Sequence, residues 1–172
     1  MAEYPSINMK QGIINFGGDE GLYTNLMDEF DKNSLTQLMK EVHQNVLSLA
    51  FDPIAKSAHK IKSGFGYIGA ERAQQLCVEL EDSAIMAHKE SQARGKADQK
   101  SINQIVSKYL NLIQETKMVK RDMSRILQKH PDMRELELLE NQARNRFTSN
   151  IEIGEHDATV KQQACCAGCN IF

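Results

Sequence analysis

The stretch IAKSAHKIKSGFGYIG, residues 54–69, has the apolar spacing that decides the fold. Its large apolar residues and one alanine recur at steps of four, three, four and three, which is the period of a single helix face. Asp52-Pro53 stands just before it, and a proline at the first helical position has no N–H to leave unpaired. We therefore predict an amphipathic helix that starts at Pro53 and is buried along Ile54, Ala58, Ile61, Phe65 and Ile68.

The same spacing recurs on both sides of this stretch. Asp19 precedes one apolar series, and the capping-box patterns Ser34-x-x-Gln37 and Ser101-x-x-Gln104 predict the starts of two more helices. The chain has only three prolines, and its long segments without glycine or proline favour helices over strands joined by regular turns. The predicted core positions are Leu22, Tyr23, Leu26, Met27 and Phe30; Leu35, Leu38, Met39, Val42, Val46 and Leu49; Ala73, Leu76, Cys77, Leu80, Ala84 and Ala87; and Ile105, Tyr109, Leu112, Val119, Met123 and Ile126.

These helices predict an all-α fold, because narrow apolar stripes are stable only when they are buried against one another. Short polar links between them favour an up-and-down antiparallel four-helix bundle over residues 1–128, with a short extra helix at the N-terminus. Residues 129–146 are predicted to form a helical extension that packs back after Pro131. Residues 147–172 show no apolar period and are predicted to be a flexible tail with a CaaX-like end.

Composition excludes several classes of protein. Of the 172 residues, 41% are hydrophobic and 26% are charged, which is enough apolar material for one domain with a core. The formal net charge of −2 offers no basic face for nucleic acid. No apolar run approaches the roughly 18 residues of a membrane-spanning helix, and the N-terminus lacks the apolar stretch of a signal peptide. We expect a cytoplasmic protein without a nucleic-acid partner.

The helix over residues 54–69 also has a polar strip on the face away from its apolar one. At about 100° per residue, His59 and Ser63 lie about 160° from Ile61, Gly66 about 140° and Lys62 about 100°. A neutral imidazole is a good nucleophile near neutral pH, and a neighbouring ammonium stabilises the negative charge of a phosphoryl group attached to it. An exposed histidine is otherwise a solvated polar residue, which is what we expect of His43, His88, His130 and His156.

The segment from Ala58 to Ala70, together with Leu76-Cys77-Val78-Glu79-Leu80-Glu81, resembles the signature of histidine-containing phosphotransfer (HPt) domains, the four-helix modules of multistep two-component relays. The resemblance covers about residues 7–128 and includes a helix-opening segment at 17–22. The chain departs from the family pattern at Phe65 and Tyr67, where small or polar residues are usual. We expect Tyr67 to change partner choice rather than to abolish transfer. The matching positions are His59, Ile61, Lys62, Ser63, Gly66, Gly69 and Ala70.

The resemblance implies a two-step relay. A phosphoryl group would move from an aspartate on the receiver domain of a hybrid histidine kinase to His59, and then to an aspartate on the receiver of a response regulator. Lys62 would be the electrostatic partner of the phosphoryl group. Ser63, Gly66 and Glu81 would belong to the receiver-docking surface, where Glu81 either orients the ring or repels the phosphate.

The chain is predicted to carry phosphate without making it. It has no glycine-rich phosphate loop and no kinase signature, so we expect no autonomous kinase activity. No cofactor or metal is expected on this chain, since the partner receiver would supply the Mg²⁺ that phosphoryl transfer requires. Two rival interpretations stay open: an HPt-like adaptor that docks receivers without being phosphorylated, and the detached histidine domain of a kinase.

The last residues suggest a lipid anchor. Cys169-Asn170-Ile171-Phe172 fits the prenylation pattern, with a terminal Phe that favours geranylgeranyl on Cys169. One lipid gives only reversible attachment, and Cys165 and Cys166 offer palmitoylation sites as the second signal. The alternatives are a metal site, which lacks a fourth ligand at zinc spacing, and a chance match. We expect attachment to the cytoplasmic face of a membrane.

Overall fold

The computed structural model describes residues 6–160, with the side chains of residues 6–148. The described residues form helices and no β-strand, which confirms the all-α fold. The π-helical segment Phe30–Leu35 joins the second and third α-helices. The α-helices are α1 (Met9–Asn15), α2 (Glu20–Glu29), α3 (Thr36–Leu47), α4 (Phe51–Tyr67), α5 (Glu71–Arg94), α6 (Gln99–Ile126) and α7 (Arg134–Val160).

The core lies between α3, α4, α5 and α6. Helix α4 packs against α3 and α5, and α6 packs against α5 and α3. All five residues predicted for the apolar face of α4 are buried, as are all six predicted for α5. Short links at 48–50, 68–70 and 95–98 turn the chain back each time. At the last of them Gly95 has φ +77°, a left-handed conformation that ends α5.

Ser34 does not start a helix, contrary to the capping-box prediction. The chain stays helical from α2 through the π-helical segment into α3, and no side chain caps the start of α3. Asp31 in the π-helical segment is buried and accepts hydrogen bonds from Lys120 and Lys129, each at 2.6 Å. This pairing across the bundle holds the segment in place. A local sequence pattern does not reveal it.

Two other helix starts lie close to their predicted positions. Helix α4 begins at Phe51, so Pro53 lies within the first turn, where backbone N–H groups have no helical partner in any case. Helix α6 begins at Gln99, and its N-cap is Asp98 rather than the predicted Ser101. The Asp98 carboxylate accepts the Ser101 N–H at 2.7 Å, so Ser101 lies inside the first turn. The cap predicted at Asp19 is confirmed, since its side chain accepts the Leu22 N–H.

Helix α7 packs back onto α3 and α6 through Leu136, Leu139 and Ala143, all buried. It ends at Val160 and so extends past the boundary predicted between residues 146 and 147. A helix needs no apolar stripe to extend its backbone hydrogen bonds, and no proline follows Pro131. The predicted lipidation sites Cys165, Cys166 and Cys169 lie outside the described residues.

A buried histidine joins α7 to the bundle, whereas the sequence predicted a solvated one. His43 on α3 is only 3% exposed. Its Nδ1 lies 2.8 Å from the Tyr109 hydroxyl on α6, and its Nε2 lies 2.9 Å from the Gln142 side-chain oxygen on α7. Nearby, Glu140 of α7 pairs with Lys117 of α6 in a second buried contact. Within residues 6–160, no helix is both long enough and apolar enough to cross a membrane.

Candidate functional site

The polar strip of α4 is on the surface, with the imidazole at its N-terminal end. The His59 side chain is 63% exposed, Ser63 is exposed, and Lys62 and Gly66 are half-buried. The opposite face of the same helix is buried at Ile61 and elsewhere. The helical wheel therefore placed these side chains on the correct sides of α4.

Glu81 of α5 joins His59 and Lys62 in one hydrogen-bonded group. His59 Nδ1 lies 2.8 Å from Glu81 Oε1, and Lys62 Nζ lies 2.8 Å from Glu81 Oε2. A carboxylate only accepts, so the geometry assigns the ring proton to Nδ1. Lys62 Nζ also lies 3.1 Å from Nδ1, but a protonated Nδ1 has no lone pair to accept from it.

This arrangement leaves His59 Nε2 as the nitrogen with a lone pair. No described residue forms a hydrogen bond with it, and the ring that carries it is mostly exposed. A neutral imidazole with its proton fixed on one nitrogen is a nucleophile at the other. The site therefore presents an oriented nucleophile to whatever approaches α4 from solvent.

The electrostatics keep Glu81 ionised. Burial, the largest single effect on this group, raises the pKa of Glu81, but the hydrogen bonds from Lys62 and His59 together outweigh it and hold the pKa below its ordinary value. Lys62 and Glu81 thus form an ion pair beside the imidazole. An approaching anion would meet an ammonium group already positioned one turn from the nucleophile.

Cys77 lies beneath this group in the core. Burial raises the pKa of the Cys77 thiol to about 12, against a smaller lowering effect from Lys62, so the thiol is uncharged at neutral pH. An uncharged buried thiol is a packing residue and not a second nucleophile. This agrees with its predicted core role.

The turn between α4 and α5 fixes how the two helices meet. Gly69 has φ +76°, and a Cβ at this position would lie 2.4 Å from the Asn8 carbonyl oxygen. The Gly69 oxygen accepts the Asn8 N–H at 2.9 Å, and the Ile68 oxygen accepts the Tyr23 hydroxyl at 3.0 Å. The residues before α1 and those of α2 therefore clamp the turn that aligns Glu81 with His59.

Two grooves lie on either side of Tyr67, which is 61% exposed at the end of α4. The apolar groove, about 330 Å³, is lined mainly by Phe16, Leu26, Phe30 and Ile68. Leu26 was predicted to be buried in the core and is instead exposed along this groove. Leu22 on the same helix was also predicted to be buried and is exposed. Both belong to a face of α2 that no other described helix covers.

The polar groove, about 630 Å³, lies on the other side of Tyr67. Its floor includes Ser63 and Gly66, and its walls are formed by α1 and the start of α5. No sequence pattern predicted either groove, because each forms between helices that are distant along the chain. No cluster of three or more His, Cys, Asp or Glu residues in the described part of the chain is arranged to hold a metal ion.

In a comparison with protein families, the family model described as the Hpt domain matches residues 22–117. The matched range includes α4, α5 and most of α6, and therefore His59, Lys62 and Glu81. It leaves out α1 and α7. Comparison with curated proteins gives no match, and comparison with solved structures gives none.

Proposed function

The chain belongs to the Hpt domain family, whose members are histidine phosphocarriers of phosphorelays that interact with receiver domains, and on this premise we propose that His59 is its phosphorylated residue. The observation that carries the proposal is the exposed Nε2, left with a free lone pair by the Nδ1–Glu81 hydrogen bond. His59 would accept a phosphoryl group from the receiver of a hybrid histidine kinase. It would pass the group to the receiver of a response regulator.

In the first step, the lone pair of His59 Nε2 attacks the phosphorus of an aspartyl phosphate on the donor receiver. The N–P bond forms as the P–O bond to the aspartate breaks, and the aspartate leaves as a carboxylate. The ring gains positive charge, which the Glu81 carboxylate at Nδ1 stabilises. In the second step, an aspartate of the acceptor receiver attacks the phosphorus, and the electron pair of the N–P bond returns to Nε2.

Lys62 supports both steps electrostatically. Its ammonium group lies one helical turn from His59 and is paired with Glu81 at rest. A flexible lysine side chain can exchange this partner for a phosphoryl oxygen with little rearrangement. The receiver supplies the Mg²⁺, and this chain binds no cofactor of its own and acts without autonomous kinase activity.

Docking of the receivers would use the strip and the apolar groove beside it. Ser63 and Gly66 present little bulk next to His59, so a partner's backbone can approach the ring. The apolar groove and the exposed Tyr67 and Leu22 offer the apolar area that a transient interface needs. A bulky Tyr67 at this position would favour some receivers over others.

The test is transfer from a purified receiver domain that has been phosphorylated with acetyl phosphate and Mg²⁺. The wild type is expected to take up acid-labile, base-stable phosphate, and His59→Gln to take up none. His88→Gln, which alters a half-buried histidine on α5, is the matched control and keeps full uptake. A folded wild type that docks several receivers but takes no phosphate from any would instead identify a docking adaptor.

We also propose that the relay works at the cytoplasmic face of a membrane, through a lipidated tail. This part of the proposal is supported by sequence alone: the CaaX-like stretch Cys169-Asn170-Ile171-Phe172, with Cys165 and Cys166 as second sites. Mass spectrometry of the chain purified from a eukaryotic host would show a prenyl adduct on Cys169 that Cys169→Ser lacks. An unmodified wild-type tail, or an unchanged location of the Cys169→Ser variant in cells, would refute it.

A further inference from the structure

The polar groove is continuous with the polar strip of α4. It shares Ser63 and Gly66 with that strip, beginning one turn of α4 beyond His59. A receiver that presents an aspartate to His59 Nε2 therefore lies beside the mouth of this groove. Side chains in the groove would touch the receiver without touching the phosphoryl group.

The groove owes one of its walls to α1, which lies outside the residues that match the Hpt family. Several contacts fix α1 in place. Gly12 packs so closely on Tyr23 that a Cβ there would lie 2.4 Å from the ring, and Asn15 Nδ2 donates to the Gly66 oxygen at 3.1 Å. These contacts make the wall a fixed part of the groove, built by residues outside the matched range.

Two side chains from the start of α5 supply the groove's unused polar groups. Glu71 accepts the Asn8 amide at Oε1, at 3.1 Å, and its carboxylate has no ion-pair partner among the described residues. The Gln74 side-chain amide forms no hydrogen bond with any described residue.

The Gln74 amide lies over Gly66, where a Cβ would meet its nitrogen at 2.6 Å. The absence of a side chain at Gly66 thus gives the Gln74 amide room to reach the edge of the polar strip of α4. A carboxylate and an unpaired side-chain amide in one groove suit a side chain that donates several hydrogen bonds and carries positive charge.

We propose that this groove is a receiver-selectivity site, in which Glu71 and Gln74 bind a lysine or arginine side chain of the docked receiver domain. The inference rests on the proposed function, since it names the type of receiver side chain that binds beside His59. Glu71 and Gln74 act on the choice and affinity of the receiver. They take no part in the transfer of the phosphoryl group.

The experiment measures single-turnover transfer to the chain from a purified receiver domain loaded with acetyl phosphate and Mg²⁺, at varied receiver concentration. Glu71→Lys is expected to raise the half-saturating receiver concentration about tenfold at low salt, with the transfer rate at saturation little changed. Glu71→Gln and Gln74→Ala should raise this concentration less. The effect of Glu71→Lys should shrink as salt is added, because added ions screen an exposed charge pair. Glu137→Gln and Gln37→Ala, exposed residues on α7 and α3, are the matched controls.

A receiver-free reaction separates this inference from the proposed function. Phosphoramidate, a small phosphoryl donor, should label His59 equally in the wild type and in all of these variants. Single alanine substitutions of the receiver's basic surface residues should find one that weakens transfer to the wild type but not to Glu71→Gln. If the wild type accepts phosphate from the receiver while Glu71 and Gln74 variants match the controls, the selectivity site is refuted and the phosphotransfer role is not. A wild type that no receiver labels refutes both.

Discussion

At the scale of single residues, Glu81 has two separable properties. It accepts the Nδ1 proton of His59, which fixes the ring tautomer, and its charge neutralises Lys62. The first property needs only an acceptor oxygen, whereas the second needs a carboxylate. A glutamine at this position keeps the acceptor and loses the charge, and an alanine loses both.

We therefore expect Glu81→Ala to slow phosphate uptake from a receiver about tenfold or more, the effect of losing a hydrogen bond to a charged group worth about 1.5 kcal/mol. Glu81→Gln should fall between the alanine variant and the wild type. Uptake rates and ¹⁵N NMR of the His59 ring together check this. Unchanged Nδ1 protonation in Glu81→Ala would contradict the assigned role.

His43 should make stability depend on pH. Burial lowers the pKa of His43 below 6.5, against a smaller raising effect of the Gln142 hydrogen bond. Below pH 6.5 the unfolded chain binds a proton that folded His43 resists, so the free energy of unfolding falls as the pH drops, until the pH reaches the lower pKa of the folded state. In urea unfolding, the free energy of unfolding should fall more between pH 7.5 and pH 5 for the wild type than for His43→Gln. His88→Gln, as control, should lose as much as the wild type.

Sequence reasoning succeeded at some residues and failed at others for physical reasons. The strip of His59, Lys62, Ser63 and Gly66 follows from the angular period of one helix, so local spacing was enough to predict its face. The burial of His43 depends on α7, which returns to cover α3 from almost 100 residues later in the chain. No local pattern records such a contact.

At the scale of elements, α7 is held by a mixed interface of apolar and charged contacts. Leu139 is 4% exposed, whereas its neighbour Leu138 is 50% exposed. Leu139→Ala should lower the free energy of unfolding by about 3 kcal/mol, since it leaves a cavity between α7 and the bundle. Leu138→Ala is the matched control, and denaturant titration of both variants checks the difference. Equal losses would mean that α7 does not pack as described.

The observed helix boundaries show which sequence signals for helix starts are reliable. Asp19 caps α2 as predicted, because a side chain that accepts an N–H three residues later is a local event. Ser34 has the same kind of pattern but lies inside a helical path that Asp31 and Lys120 hold from across the bundle. Tertiary pairing overrides a capping signal when the continuous helix has a lower free energy than a helix that starts at the cap.

At the scale of the whole molecule, phosphorylation should leave the bundle unchanged. His59 is on the surface, and no core side chain has to move to admit a phosphoryl group. Amide NMR spectra before and after labelling with phosphoramidate should differ around His59 on α4 and Glu81 on α5. Ala143 on α7 should keep its chemical shift. A change at α7 would mean that the carrier alters shape when loaded.

Under the proposed function, the exposure of His59 also sets how long its phosphoryl group persists. No described residue covers the ring, so a phosphoryl group on it stands in open water with no lid to exclude hydrolysis. Its lifetime is then governed by the chemistry of the N–P bond and is the same whichever receiver loaded it. The phosphorylated chain therefore does not retain the identity of the receiver that supplied its phosphoryl group, and the group is lost to hydrolysis at one rate. Discrimination between receivers must occur while a receiver is docked.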